Sequence, residues 1–190
     1  MNLTEMSIRR QELSMTEQSM IENVLVTSRV GYLGLADGDE PYVVPLNFIW
    51  YRNHIYFHGA EKGRKAILLA KNPKATFTVS HDLGTIANPV PGETDTAYIS
   101  VMIFGKTATI HDLSEKAEIL NAMLSKYVPG YYEHPLHPEH VKSYISNAES
   151  RVVVYRLATE RVTAKEHNKN MDMMFYPGRT QKGDVLKKRH

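Results

Sequence analysis

The chain has 190 residues, enough for one substantial core and too few for two large domains. Hydrophobic residues make up 42% and charged residues 23%, ordinary for a globular chain and no indication of disorder, and no apolar run approaches membrane-spanning length. Cysteine is absent, which excludes disulfides, thiolate metal ligands and cysteine nucleophiles, and a net charge of +2 is too small to make nucleic acid the expected partner.

The first eighteen residues, "MNLTEMSIRRQELSMTEQ", lack the apolar centre of a secretory signal, so a cytoplasmic protein is expected. Ser14 and Glu17 form a Ser-x-x-Glu capping pattern, predicting a helix that continues through Met20, Ile21, Val24 and Leu25. Next, "RVGYLGLA" (29–36) and "PYVVPLNFIWY" (41–51) flank "DGDE", an Asp-Gly hairpin turn; a second turn at Arg52 and Asn53 leads into "HIYFHG". Short turns between consecutive strands predict an antiparallel meander. Pro45 cannot donate a ladder hydrogen bond, so its strand must be an edge or bulged there, leaving neighbouring backbone groups, such as those of Leu46 and Asn47, free to bind something else.

A helix is expected from about Glu61 to Asn72, stopped by Pro73, then a strand in "KATFTVSHD" and a loop in "LGTIANPVPGETD" that covers something or contacts a partner. Residues 96–111 read as a long strand with Gly105 as a bulge or close-approach point. Asp112 or Ser114 caps a helix carrying Leu113, Ala117, Leu120, Leu124 and Tyr127 at helical spacing. A further helix follows Pro138 with Val141, Tyr144 and Ile145 inward, and "RVVVYRLATERVTA" is the last strand. Six strands with a few helices in so short a chain predict a mainly β fold, an antiparallel barrel with peripheral helices, because closure removes exposed edges. The expected division is a barrel domain over 1–165 and a basic C-terminal tail over 166–190, with packing of the tail on a partner subunit left open. From Glu160 onward 8 Lys/Arg stand against 4 Asp/Glu, which reads as a solvated terminus.

Chemistry concentrates in "YFHGAEKGRKAILLAKNP" (56–73), where Lys62, Arg64 and Lys65 surround Gly63 at the start of a helix. A helix start already presents unpaired N–H groups and a positive dipole end, so added cations there suit a bound anion such as a phosphate. A solvated basic turn has the same local sequence. No Walker motif is present, since Arg64 stands where its second glycine would be, and there is no GxGxxG. His58, on the same turn, is a candidate acid–base or ligand-orienting group beside that anion or a strand-end structural histidine. His134, His137 and His140 are three apart, but two prolines prevent one helical face, so no metal site is expected. Phe48, Trp50 and Tyr51 are read as core or interface residues.

Taken together, "GYLGLADGDEPYVVPLNFIWYRNHIYFHGAEKGRKAILLAKNPKATFTV" (31–79) and "SVMIFGKTATI" (100–110) resemble the pyridoxamine 5′-phosphate oxidase-like flavoproteins, in particular the branch similar to nitroimidazole-resistance proteins. The motifs occur in the family's order across most of residues 25–165. The resemblance implies a six-stranded FMN-binding split barrel with FMN at a homodimer interface. Carried over by motif, Val43, Val44, Pro45, Leu46 and Asn47 would run along the flavin, His58 and Gly59 would border its ring and ribityl chain, and Arg64 and Lys65 would hold its phosphate. Ser100 stands where the vitamin B6 oxidase has a glutamine near the ring. The aromatic, arginine-rich C-terminal signature of that oxidase is missing from "MDMMFYPGRTQKGDVLKKRH", so oxidation of pyridoxamine phosphate is not expected. The resemblance instead implies an FMN-dependent oxidoreductase, with His58 as candidate catalytic residue, using NAD(P)H to reduce a nitro compound, quinone or similar small acceptor. Neither nucleic acid nor membrane is an expected partner. The alternative is a non-catalytic flavin- or haem-binding barrel acting in storage, sequestration or sensing; the fold also hosts deazaflavin relatives.

Overall fold

The structure, a computed structural model, describes residues 10–142, 144–145 and 150–187. Residues 1–9 and 188–190, where parts of the leader and basic-tail expectations fall, lie outside the described residues. Six strands close into an antiparallel barrel: β1 (Val30–Asp37), β2 (Glu40–Tyr51), β3 (His54–Ala60), β4 (Lys74–Ile86), β5 (Asp95–Thr109) and β6 (Val152–His167), in the order β1-β2-β3-β6-β5-β4. The turns follow the sequence signals: Gly38, Arg52 and Asn53 adopt the positive φ that tight hairpins demand. Alternation places Leu33, Leu35, Phe57, Phe77, Val79, Val101 and Ile103 inside, with Phe48 packed edge-on against Phe77 at 4.8 Å.

Helix α1 (Gln18–Thr27) buries Ile21, Val24 and Leu25 against the barrel. It does not use the Ser14 capping pattern: Glu17 holds the N-cap position, while Ser14 bridges Lys165 and the Met15 N–H donates to Ala164 O at 3.0 Å. Burial of Met15 beside β6 outweighs a capping hydrogen bond. Helix α2 (Arg64–Lys71) carries the chain from β3 to β4 and buries Leu68 and Leu69. Helix α3 (Leu113–Tyr127) starts where Asp112 accepts the Glu115 N–H at 2.8 Å, and it packs Ala117, Ile119, Leu120 and Met123 onto a second core with Ile49, Tyr56 and Val154. In the short α4 (Pro138–Lys142) only Val141 goes inward; Tyr144 and Ile145, expected inside, are exposed because the helix has ended and Ile145 bridges Arg151.

Two further departures concern the chain ends of the β4–β5 hairpin. Residues 83–86, expected as loop, extend β4 past an irregularity between Asp82 and Gly84. The loop beyond is covered by the chain's own tail: Ala87 N–H donates to Met173 O at 2.8 Å and Phe175 N–H to Thr85 O at 2.8 Å, while α5 (Gln181–Lys187) is tied back by the Arg179–Asp184 ion pair at 2.9 Å. Gly105 does mark a bulge against β6, and a side chain there would lie 1.9 Å from Ala158 O.

Candidate functional site

The barrel is split between β2 and β3. They pair only from Phe48 to Tyr51, after which β2 pairs with β1 alone and residues 58–60 of β3 pair with β6. The hydroxyl of Tyr127 fixes the direction of the free edge. It accepts the Phe48 N–H at 2.8 Å, and its proton lies between Arg29 O at 2.6 Å and Phe48 O at 2.8 Å, so it continues the β1–β2 ladder as a side-chain rung. Phe48 therefore turns its backbone groups toward β1. Because these groups alternate along a strand, those of Leu46 and Val44 are used by β1, and Val43, Pro45 and Asn47 present theirs to the split. Of the two residues expected to be free, Asn47 is and Leu46 is not. Pro45 sits where its missing N–H costs no ladder bond. Lys126 supports this rung, donating to Phe48 O at 3.0 Å; burial and then Arg29 lower its pKa to about 8.

The N-terminus of α2 lies across the split. Gly63 (φ 107°) takes a backbone conformation few other residues adopt and turns the chain into the helix. Lys65 reaches under β3: its ammonium is 3.5 Å from His58 O, lies 5.7 Å from the Phe57 ring centre, and occupies the space a side chain on Gly59 would need. Loss of hydration lowers its pKa, and among the described residues no carboxylate pairs with it. His58 is open to solvent at its edge, yet the atoms around it and then the Lys65 charge push its pKa below the ordinary imidazole value.

Arg64 behaves differently from Lys65. It bonds Asp37 through two nitrogens at 3.1 and 3.2 Å, meets Glu40 at 3.0 Å, and stacks 5.0 Å over the Tyr42 ring. The "DGDE" turn is thus a hairpin and also the counter-charge of Arg64 in the cation cluster, a partnership across 27 residues that no local pattern announces. Lys62 is exposed and outside the helix.

Ser100 does not join this cluster within one chain. It pairs with Ser80 and Lys165 on the outer face of the sheet, where successive cross-strand rows read Pro45–Tyr32–Thr78–Met102–Thr163 and Val43–Gly34–Thr76–Phe104–Arg161. Val43, Pro45 and Asn47 share that face with Ser100. It is notably apolar for a free surface, with Val30 47%, Tyr32 48% and Val43 62% exposed. Its margin toward the β1–β2 turn opens into a groove of about 1050 Å³. The three histidines of the 134–140 segment are all exposed, and among the described residues no group of three His, Cys, Asp or Glu converges as a metal site would.

Residues 17–166 match the family model described as pyridoxamine 5′-phosphate oxidase. The chain belongs to this family. Among solved structures it is similar to the flavocytochrome Anf3 from Azotobacter vinelandii, at 22% identity over 88% of this chain and 75% of that one, TM-score 0.74. It is similar to the FAD and haem binding protein from Mycobacterium smegmatis, at 18% identity over 91% and 79%, TM-score 0.68. A third is a candidate 5-nitroimidazole antibiotic resistance protein from Bacteroides thetaiotaomicron, at 23% identity over 80% and 86%, TM-score 0.65. At these identities the likenesses establish the shared split-barrel fold. No curated protein matches the chain significantly. Among the described residues, no helix is long and apolar enough to cross a membrane.

Proposed function

We propose that the protein is an FMN-binding homodimer that uses NAD(P)H to reduce a small organic acceptor such as a nitro compound or quinone. The observation that carries the cofactor assignment is Lys65: a partly desolvated ammonium with no carboxylate partner among the described residues, under β3 at the split that the unpaired edge of β2 faces. Such a cation gains most from a phosphate. The α2 N–H groups and Arg64 add to it, Arg64 exchanging Asp37 and Glu40 for phosphate oxygens. Gly59 cedes the space of a side chain to the Lys65 ammonium, which sets that cation beside the ribityl path, and the open groups of Val43, Pro45 and Asn47 suit the polar edge of a flavin ring, with Val44 and Leu46 securing that strand from the core side.

When bound, the flavin supplies the electron chemistry. The chain's own contribution is to hold the phosphate, orient the ring and keep water from one side of it. His58, its pKa depressed, is mostly neutral near pH 7 and can donate or accept one proton at an imidazole nitrogen beside the split. Ser100 reaches the ring from a second copy: the apolar part of the outer face around Val30, Tyr32 and Met102, inward of the groove at its margin, is best covered by the same face of another chain, giving an isologous dimer. One similar structure is named as a flavocytochrome and another as an FAD and haem binding protein, which supports a second reading, a flavin- or haem-binding protein without turnover.

The test is the visible spectrum of the purified protein, with its released ligand identified by mass, followed by NAD(P)H turnover with nitro and quinone acceptors. A flavin spectrum with FMN released and acceptor-dependent NAD(P)H consumption supports the proposal. A Soret band supports the second reading, and no chromophore after FMN addition removes both.

A further inference from the structure

The groove at the margin of the outer face has a composition of its own. Its floor is backbone and small residues, Gly34, Ala75 and Gly105; one wall is Tyr42 and Val43, and the other is Phe104 with the Arg161 guanidinium 3.8 Å above its ring centre. Lys74 also lines it. The acids along its rim are largely engaged elsewhere: Glu160 pairs with Lys106 and Glu40 with Arg64. Among the described residues neither Lys74 nor Arg161 has a carboxylate partner, while Asp39, also on the rim, remains available as an acceptor. An arginine plane stacked on an aromatic ring is a platform for a purine base, free cations suit its phosphate, and a rim carboxylate suits ribose hydroxyls.

The groove also borders the cation cluster through Tyr42 and Glu40. Tyr42 forms its wall and carries Arg64 on its ring. From Val43, at the edge of the split, the row Gly34–Thr76–Phe104 crosses three strand spacings, about 14 Å at ~4.8 Å each, roughly the reach of one nucleotide unit.

We propose that this groove binds an adenosine 5′-phosphate unit, with its base on the Phe104–Arg161 platform and its phosphate between Lys74 and Arg161. The proposal rests on the flavin reading of the neighbouring split. Two ligands of that chemistry would bring such a unit there: a flavin cofactor extended by an adenylate, or the adenylate half of the nicotinamide reductant.

The experiment titrates AMP into the FMN-loaded protein by calorimetry, with Phe104→Ala and Arg161→Ala beside it. AMP is expected to bind, and each variant to weaken it roughly tenfold or more, the loss that goes with one base–platform stack, while FMN affinity stays unchanged. Arg161 is exposed, so its variant remains informative if Phe104→Ala folds poorly. Comparing FAD with FMN separates the two sources. Tighter FAD binding that Phe104→Ala abolishes assigns the groove to the cofactor; equal flavin affinities with weaker NADPH binding in the variants assign it to the reductant. FMN bound with no AMP binding at all overturns the groove proposal alone and leaves that margin to the second copy. Failure to bind FMN instead removes the flavin reading.

Discussion

The ammonium of Lys65 fills the space beside Gly59, where an added Cβ would come within 2.6 Å of it. The glycine and the lysine are therefore one device: the missing side chain is what lets the cation reach under the strand edge. Gly59→Ala should displace Lys65 at small cost to stability, under about 1 kcal/mol, because the obstructed atom is the end of a flexible chain. FMN affinity should nevertheless fall several-fold. Thermal unfolding and flavin-fluorescence titration on the same preparation check both halves.

The two cations should contribute unequally. Lys65→Ala removes a charge that no carboxylate among the described residues neutralises and should weaken FMN by roughly 10- to 100-fold, the worth of a charge-assisted hydrogen bond. Arg64→Ala should cost less, roughly 3- to 10-fold, because Arg64 must first give up Asp37 and Glu40, exposed pairs worth about 0–1 kcal/mol each. Asp37→Asn with Glu40→Gln should accordingly tighten FMN. Direct titration of the variants decides the order.

Lys126 gives a pH signature with a definite sign. Its folded pKa is about 8 against 10.5 when unperturbed, so below pH 8 both states are protonated and the folded protein bears the whole cost of the partly buried charge. Between about 8 and 10.5 the unfolded state binds more protons, and stability rises with pH. The gain should be about 1–2 kcal/mol after allowance for partial solvent screening. Urea unfolding of the native protein and Lys126→Met across this range measures it as a growing difference in favour of the native chain; a constant difference contradicts the assignment.

At the β5 bulge the obstruction is backbone rather than a flexible side chain. Gly105→Ala should destabilise by about 2–4 kcal/mol, since either strand must move to admit the Cβ. The shift in denaturant midpoint reports it.

These examples show what local sequence carries and what it does not. Strand alternation, the Asp-Gly and Arg-Asn turns, the edge position of Pro45 and the bulge at Gly105 were all legible, because each follows from the chemistry of a residue and its near neighbours. The partners of those elements were not. Tyr127 has the spacing of a core residue on α3, and nothing nearby shows that its hydroxyl serves as a rung between Arg29 and Phe48. Arg64 reads as a free phosphate ligand until the hairpin turn brings Asp37 and Glu40 to it. The tail reads as a solvated basic end, yet Met173 and Phe175 add backbone bonds to residues 85–87 of their own chain. Ser14 offers a sound capping pattern that burial of Met15 overrides. Periodicity tells which face of an element is buried but not which element it meets.

The central claim is that a flavin phosphate sits on Lys65 and Arg64 at the split between β2 and β3. It is tested most directly by titrating FMN and riboflavin into the native protein and into the Lys65→Ala, Arg64→Ala double variant. The account predicts that the native protein prefers FMN strongly and that the double variant loses that preference while keeping its riboflavin affinity. Equal losses for both ligands, or no preference for FMN in the native protein, would contradict it.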